Sequence, residues 1–299
     1  NGVAACVKHY AVNNQEFQRT QSNSVVDDRT LHEIYLPAFK AAVQEGNAWA
    51  IMGSYNLYNG QFNCHNKRLL CDILKGEWGF DGVVVSDWGG CRVSEEAVKY
   101  GLDIEMGTWT NGLRGAASDS YSNYHMADPY LKGLREGKYT TEELDDKVRR
   151  ILRTIFRTSM RPEPNYGRFV CPEHYQAARD IAAAGVVLLK NEGVLPFSKE
   201  TKKIALIGPF ADSNEIKGAW AGSGEDKDCV TVREGIEKLL PHAEIAVATG
   251  CGMLLTDTDK SGFDEAIAVA KAADVVILCL GEPEAHSGEA ASMTSINLP

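Results

Sequence analysis

Between Asn1 and Met160 the chain alternates short apolar runs with longer segments whose apolar residues recur at helical spacing. Val3 to Val7, Ala48 to Tyr55, Gly82 to Ser86 and Leu102 to Met106 read as strands. In the third, Val83-Val84-Val85 puts β-branched side chains on both faces, the pattern of a strand covered on both sides. Asp28 to Gln44 places Leu31, Ile34, Tyr35, Phe39 and Val43 on one helical stripe, and Pro37 within it predicts a bend. Lys67 to Glu77 is predicted as a helix with Leu69, Leu70, Ile73 and Leu74 inward, and Ser94 to Lys99 as a shorter one. Glu142 to Thr158 follows with Leu144, Val148, Ile151, Leu152, Ile155 and Phe156 on one face, and Thr140 and Glu143 are spaced as a capping box. Strands alternating with helices imply parallel pairing through right-handed crossovers, hence an α/β class.

The texture changes after Met160. Pro162, Pro164 and Gly167 read as a linker. Beyond it, a helix from His174 runs into the apolar Val186 to Leu189. Lys203 to Gly208, Ile245 to Ala248 and Asp274 to Leu280 then read as strands, separated by helices at Val232 to Leu240 and Phe263 to Ala272. This is the rhythm of a doubly wound α/β unit. The expected organisation is therefore 1–160 as part of a (β/α) barrel, 161–172 as linker and 173–299 as an α/β sandwich. A whole barrel takes about 250 residues, so the first stretch is expected to be the C-terminal portion of one, and the chain is expected to begin and end inside domains.

Composition narrows the partners. The 299 residues are 44% hydrophobic and 24% charged, with a net charge of −10, which argues against nucleic acid or an anionic membrane as partner. No apolar run reaches the roughly 18 residues of a membrane span. Eight scattered cysteines form no CxxC pair, so no metal or cofactor is expected, and buried free thiols in a cytoplasmic setting are the simplest account. Gly222-Ser223-Gly224 has no Lys-Ser/Thr after it, so a flexible loop is preferred to a phosphate site.

Three strands of the first stretch end on polar side chains: Lys8-His9-Tyr10, Ser54-Tyr55-Asn56 and Ser86-Asp87-Trp88. Parallel strands of a barrel finish at one rim, so these groups are expected to converge. Asp87 supplies a carboxylate and Trp88 an apolar face suited to a sugar ring; Lys8 and His9 supply donors for ring hydroxyls, and Tyr55 a hydrogen bond to Asp87. The competing readings are an Asp87 that caps the next helix and a His9 and Tyr55 that only pack the core. Glycoside hydrolysis needs two carboxyl groups. The loop Gly281-Glu282-Pro283-Glu284-Ala285-His286-Ser287-Gly288-Glu289-Ala290 offers the second, at the C-terminal end of a predicted strand.

Taken together, these motifs resemble glycoside hydrolase family 3, the β-glucosidase-like enzymes. The matches are Lys8-His9-Tyr10-Ala11 with Asn14-Gln15-Glu16, Gly53-Ser54-Tyr55-Asn56, Val85-Ser86-Asp87-Trp88, Gly101 to Met106, Asp146 to Ile151, Val187 to Gly193 and Ile207-Gly208-Pro209. The resemblance implies a barrel followed by an α/β sandwich and a retaining, exo-acting glycosidase acting on terminal non-reducing β-D-glucosyl residues. It implies Asp87 as nucleophile, Glu289 as acid/base with Glu282 and Glu284 as rivals, and Lys8, His9, Tyr55 and Trp88 as the terminal-sugar subsite. Small glycosides or oligosaccharides are the implied substrates, with a β-xyloside or another family substrate as the alternative, and a second copy of the chain stays open as a partner. One departure stands out: Met293 occupies the place where the family carries an arginine. The Pro-Gly-His loop of the family's N-acetylglucosaminidase branch is also missing, since Lys8-His9 leads into Tyr10-Ala11-Val12-Asn13, which disfavours N-acetylated sugars. A non-catalytic sugar-binding protein is the reading from another class.

Overall fold

The computed structural model describes residues 2–107, 120–160, 167–215, 228–286, 288–290, 293 and 295–298. The chain divides into two compact units, Asn1–Phe169 and Val170–Pro299. Gly222-Ser223-Gly224 lies outside the described residues.

The first unit runs β1 (Cys6–Tyr10), β2 (Asn23–Ser24), α1 (Asp28–Thr30), a π-helical turn (Leu31–Tyr35), α2 (Pro37–Gln44), β3 (Ala50–Gly53), β4 (Leu57–Tyr58), β5 (Gln61–Phe62), a 3₁₀ turn (Asn63–His65), a π-helix (Arg68–Glu77), β6 (Val83–Val85), α3 (Ser94–Lys99), α4 (Asp128–Arg135) and α5 (Thr141–Arg157). Its central sheet has the order β1-β3-β6 with every pair parallel. Val83, Val84 and Val85 are all buried, as a run with two apolar faces requires. Leu69, Leu70, Ile73 and Leu74 are fully buried and pack the π-helix into the same core as Tyr10, Leu31 and Ile51. The bend expected at Pro37 is a change of helix type. The Leu36 N–H reaches back five residues to the Leu31 carbonyl at 3.0 Å, and α2 starts afresh at the proline, which has no N–H to donate.

Three expectations need correction. The first strand is Cys6–Tyr10 rather than Val3 to Val7; pairing with β3 begins at Cys6↔Ala50, and Val3 is exposed. Leu102 to Met106 makes a single parallel bridge, Val85↔Ile104, instead of a strand. Side chains displace the ladder there: the Val84 N–H donates to Asp103 Oδ2 at 2.8 Å, and the Met106 N–H donates to Ser86 Oγ at 2.9 Å. Finally, α5 does not bury its apolar stripe in this structure. Val148, Leu152, Ile155 and Phe156 are exposed, whereas Lys147 is buried. Polar anchors hold the helix instead: Lys147 Nζ donates to the Leu102 carbonyl at 2.6 Å, and Arg150 Nη1 to the Phe80 carbonyl at 2.8 Å. The predicted capping box is present, with the Glu143 N–H donating to Thr140 Oγ1 and the Thr140 N–H to Glu143 Oε2.

The second unit runs α6 (Pro172–Gly185), β7 (Lys203–Ile207), α7 (Val232–Leu239), β8 (Glu244–Ala248), α8 (Phe263–Ala272) and β9 (Val275–Leu278). Val186 to Leu189 continues α6 as exposed irregular chain. The sheet order is β8-β7-β9, all parallel. Alternate residues of β7 feed opposite faces: Ile204 and Leu206 pack with Ile236 and Leu240, and Ala205 and Ile207 with Ala266, Val269 and Ala270. All eight cysteines are free; four are buried, but Cys6 is exposed, against the expectation of buried thiols.

Candidate active site

Because β1, β3 and β6 are parallel neighbours, their C-terminal ends open on one rim. The sequence after each strand is pinned there by buried amides and hydroxyls. Asn63 Nδ2 donates to the Ala11 carbonyl, to Ser54 Oγ at 2.8 Å and to Asn56 Oδ1 at 3.1 Å. Ser54 Oγ also donates to the Ala11 carbonyl at 3.1 Å, and Asn56 Nδ2 donates to the Val12 carbonyl at 3.0 Å. These bonds tie the segment leaving β1 to the segment leaving β3, so the rim is set by a buried, hydrogen-bonded polar layer rather than by apolar packing.

On this layer stands Asp87, only 5% exposed, two residues beyond β6. Its Oδ2 lies 3.4 Å from His9 Nε2 of β1, and its Oδ1 accepts the Trp88 N–H at 2.8 Å. The carbonyl of Asp87 accepts the Gly90 N–H at 2.9 Å, closing a turn whose third residue, Gly89, has φ +66°. A left-handed third position is what this turn type asks of glycine. The capping alternative falls: α3 is preceded by Val93, and no side chain caps it.

Burial pushes the His9 imidazole pKa down; the Asp87 charge opposes this, and the Lys8 and Arg19 cations reinforce it. The ring is therefore neutral near neutral pH, a hydrogen-bonding partner for Asp87 or for a hydroxyl. Lys8 itself is exposed. The Tyr55 ring is buried under the Arg19 guanidinium, 4.6 Å from its centroid, and Arg19 Nη1 is held by Glu16 Oε2 at 2.8 Å. Trp88 is 44% exposed and offers its ring to solvent beside the carboxylate. Thus His9 and Asp87 meet, with Trp88 adjoining them in sequence. Arg19 and Glu16 are groups the sequence reading did not single out, although Glu16 belongs to a quoted motif; their polar stretch has no periodicity to reveal what it packs on.

Glu289 belongs to the second unit, in the chain that leaves the C-terminal end of β9 after the turn Glu284–His286. It is exposed, as are Glu282 and Glu284; the Glu284 N–H donates to Glu215 Oε2 at 3.1 Å. Among the described residues no group of three or more His, Cys, Asp or Glu side chains is placed to hold a metal. A buried carboxylate beside a neutral imidazole and an exposed indole can bind a polyol through paired hydroxyls and stacking, and can attack an electrophilic carbon.

Comparison with known proteins supplies the family. Residues 1–154 match the glycosyl hydrolase family 3 N terminal domain, and residues 186–299 match the glycosyl hydrolase family 3 C-terminal domain. A β-glucosidase of Bacteroides ovatus is 46% identical over 79% of this chain, which covers 33% of that protein. An exo-alpha-(1->6)-L-arabinopyranosidase of Bifidobacterium longum is 31% identical over the whole chain, which covers 38% of it. A crystal structure of the Listeria innocua β-glucosidase in complex with glucose superposes with a TM-score of 0.80 at 30% identity, over 99% of this chain and 41% of that one. The chain thus spans about a third of the length of the curated relatives it matches. A partial (β/α) barrel followed by an α/β sandwich accounts for both units, and the chain belongs to glycosyl hydrolase family 3.

Proposed function

We propose that the chain carries the reacting groups of a retaining, exo-acting glycosidase that releases terminal non-reducing β-D-glucosyl residues from small glycosides. The observation that carries this reading is the buried Asp87 carboxylate at the C-terminal end of a parallel strand, touching His9 and flanked by an exposed Trp88. In the first step Asp87 bonds to the anomeric carbon as the glycosidic C–O bond breaks, and the Glu289 carboxyl gives its proton to the departing oxygen. In the second, the Glu289 carboxylate takes a proton from water, whose oxygen displaces Asp87. Two inversions leave the configuration retained. His9 and Lys8 bind ring hydroxyls, Trp88 stacks on the sugar, and Arg19 fixes the Tyr55 ring.

The test is p-nitrophenol release from aryl glycosides, with the chain and with any longer protein that contains it. Asp87→Asn is expected to lose turnover by several orders of magnitude while still binding glucose. Glu289→Gln is expected to lose turnover that azide restores for good leaving groups. Rescue of Glu282→Gln or Glu284→Gln instead moves the acid/base to that residue; turnover by Asp87→Asn removes the nucleophile assignment. The arabinopyranosidase relative supports running an aryl α-L-arabinopyranoside and a β-D-xyloside beside the glucoside, and the fastest of the three identifies the sugar. Sugar binding without hydrolysis of any of them favours the non-catalytic reading.

A further inference from the structure

Behind the Asp87 turn lies a buried relay that the chemistry above leaves unused. His65, at the end of the 3₁₀ turn Asn63–His65, is fully buried. Its Nδ1 is 2.7 Å from Glu96 Oε2 on α3, and its Nε2 is 3.2 Å from the backbone nitrogen of Arg92. A backbone N–H can only donate, so Nε2 is the acceptor, and the ring proton resides on Nδ1, donated to Glu96. An imidazolium would set a second N–H against that of Arg92. The network therefore requires the neutral ring.

The same turn clasps the segment leaving Asp87 a second time. Gly90 lies against Cys64, so closely that a Cβ there would stand 2.7 Å from Sγ, and Cys64 Sγ donates in turn to the Ser54 carbonyl at 3.4 Å. Adjacent residues thus hold the chain at two points, Cys64 at Gly90 and His65 at Arg92. The charged and titratable groups around His65 are Glu96 on α3, the Arg92 guanidinium stacked 5.9 Å from the Phe62 ring, and His125, whose Nδ1 is 3.1 Å from Ser94 Oγ. Burial, and secondarily His125, pull the His65 pKa down against the opposing pull of Glu96.

We infer that His65 is a positioning residue: held in one neutral tautomer by Glu96, it fixes the Arg92 amide and with it the turn that presents Asp87, and its protonation frees that turn. The inference rests on Asp87 as the reacting carboxylate. The sign follows from the lowered folded value: the relay is intact above the ordinary histidine range, about pH 6.5, and is lost as pH falls through the lower value of the folded protein. The site thereby acquires an acid limit that belongs to neither reacting carboxyl.

Backbone amide exchange at Trp88 to Arg92, read as protection against the intrinsic rate, tests this without any substrate. In the native sequence protection should fall as pH drops below about 6.5. His65→Gln can still accept from the Arg92 N–H and donate to Glu96 but does not titrate; it should keep the protection and abolish its pH dependence. Glu96→Gln removes the charge that favours the imidazolium and should move the loss to lower pH. His65→Phe should lose about tenfold or more of the protection at every pH. Where turnover is measurable, His65→Gln should lose the acid limb of kcat with KM unchanged. A His65→Gln protein whose protection falls with pH as in the native sequence overturns the inference. A chain that shows the exchange pattern but hydrolyses no glycoside retains the relay and loses the glycosidase reading. A glycosidase whose exchange ignores His65 does the reverse.

Discussion

Asn63 shows how much of the rim depends on a single amide. Its Nδ2 reaches three acceptors from two neighbouring segments, and the residue is wholly buried. Asn63→Ala removes the donor, strands the Asn56 Oδ1 in a dry layer and leaves the Ala11 carbonyl with Ser54 Oγ. The expected cost is about 1–3 kcal/mol, read as a lower urea midpoint at unchanged m-value; a change below about 0.5 kcal/mol would mean the layer is wetter than the structure indicates. At this scale the sequence was legible where chemistry and strand pattern coincide. Asp87 and His9 end predicted strands, and those strands are parallel neighbours, so their meeting followed from topology. Asn63, His65 and Arg19 lie in polar stretches without periodicity. What they do depends on which backbone groups they meet across the fold, and no local pattern encodes that. On the Tyr55 ring the structure places Arg19, which no strand pattern announces.

Elements were legible in existence and blurred in detail. α3 and α8 coincide with the predicted Ser94 to Lys99 and Phe263 to Ala272. The helix Arg68–Glu77 has the predicted inward face but winds as a π-helix, a distinction that the spacing of four apolar residues does not resolve. α4 went unread because Asp128-Pro129-Tyr130-Leu131 and the internal Gly133 look like a turn; the glycine is needed where the Tyr139 ring lies against the helix. In α5 the buried position is Lys147, which apolar counting treats as surface. Burial first, then the neighbouring Lys75, lowers its pKa to about 8 against the pull of Asp103. The unfolded chain keeps that proton to about pH 10.4. Between the two values the unfolded state binds more protons, so stability rises with pH in that window and is lost as pH falls back through 8. Unfolding free energies from urea titrations at about pH 7.5 and about pH 10 should therefore differ by about 2 kcal/mol more in the native sequence than in Lys147→Met. Equal pH slopes in the two proteins would show that the amine is not desolvated.

For the molecule as a whole, the α/β class was readable from the alternation of strand and helix, because crossover connections leave parallel sheets few alternatives, and the two-part architecture from the break at Pro162, Pro164 and Gly167. What the alternation hides is how the sheets end. Among the described residues β1 and β6 flank β3, with Ile104 bridging β6, and β8 and β9 are the outer strands of the second unit's sheet. β9 leaves Val276 and Leu278 exposed, with Leu278 62% accessible. A strand that carries apolar side chains along an open row of backbone donors and acceptors is a template for pairing with another copy. Opposing this is the net charge of −10, which repels like copies over a distance set by salt. The screening length shrinks from about 10 Å at 0.1 M salt to about 3 Å at 1 M, whereas the edge itself does not change. Self-association of this chain should therefore grow with both protein concentration and salt, a trend opposite to that of an interface held by ion pairs. Light scattering across a salt series separates the two cases. Leu278→Lys, which places a charge on the open strand, should suppress the rise, and an unmodified chain that stays monodisperse at about 1 M salt would place the exposed edges under protection by some other part of the chain.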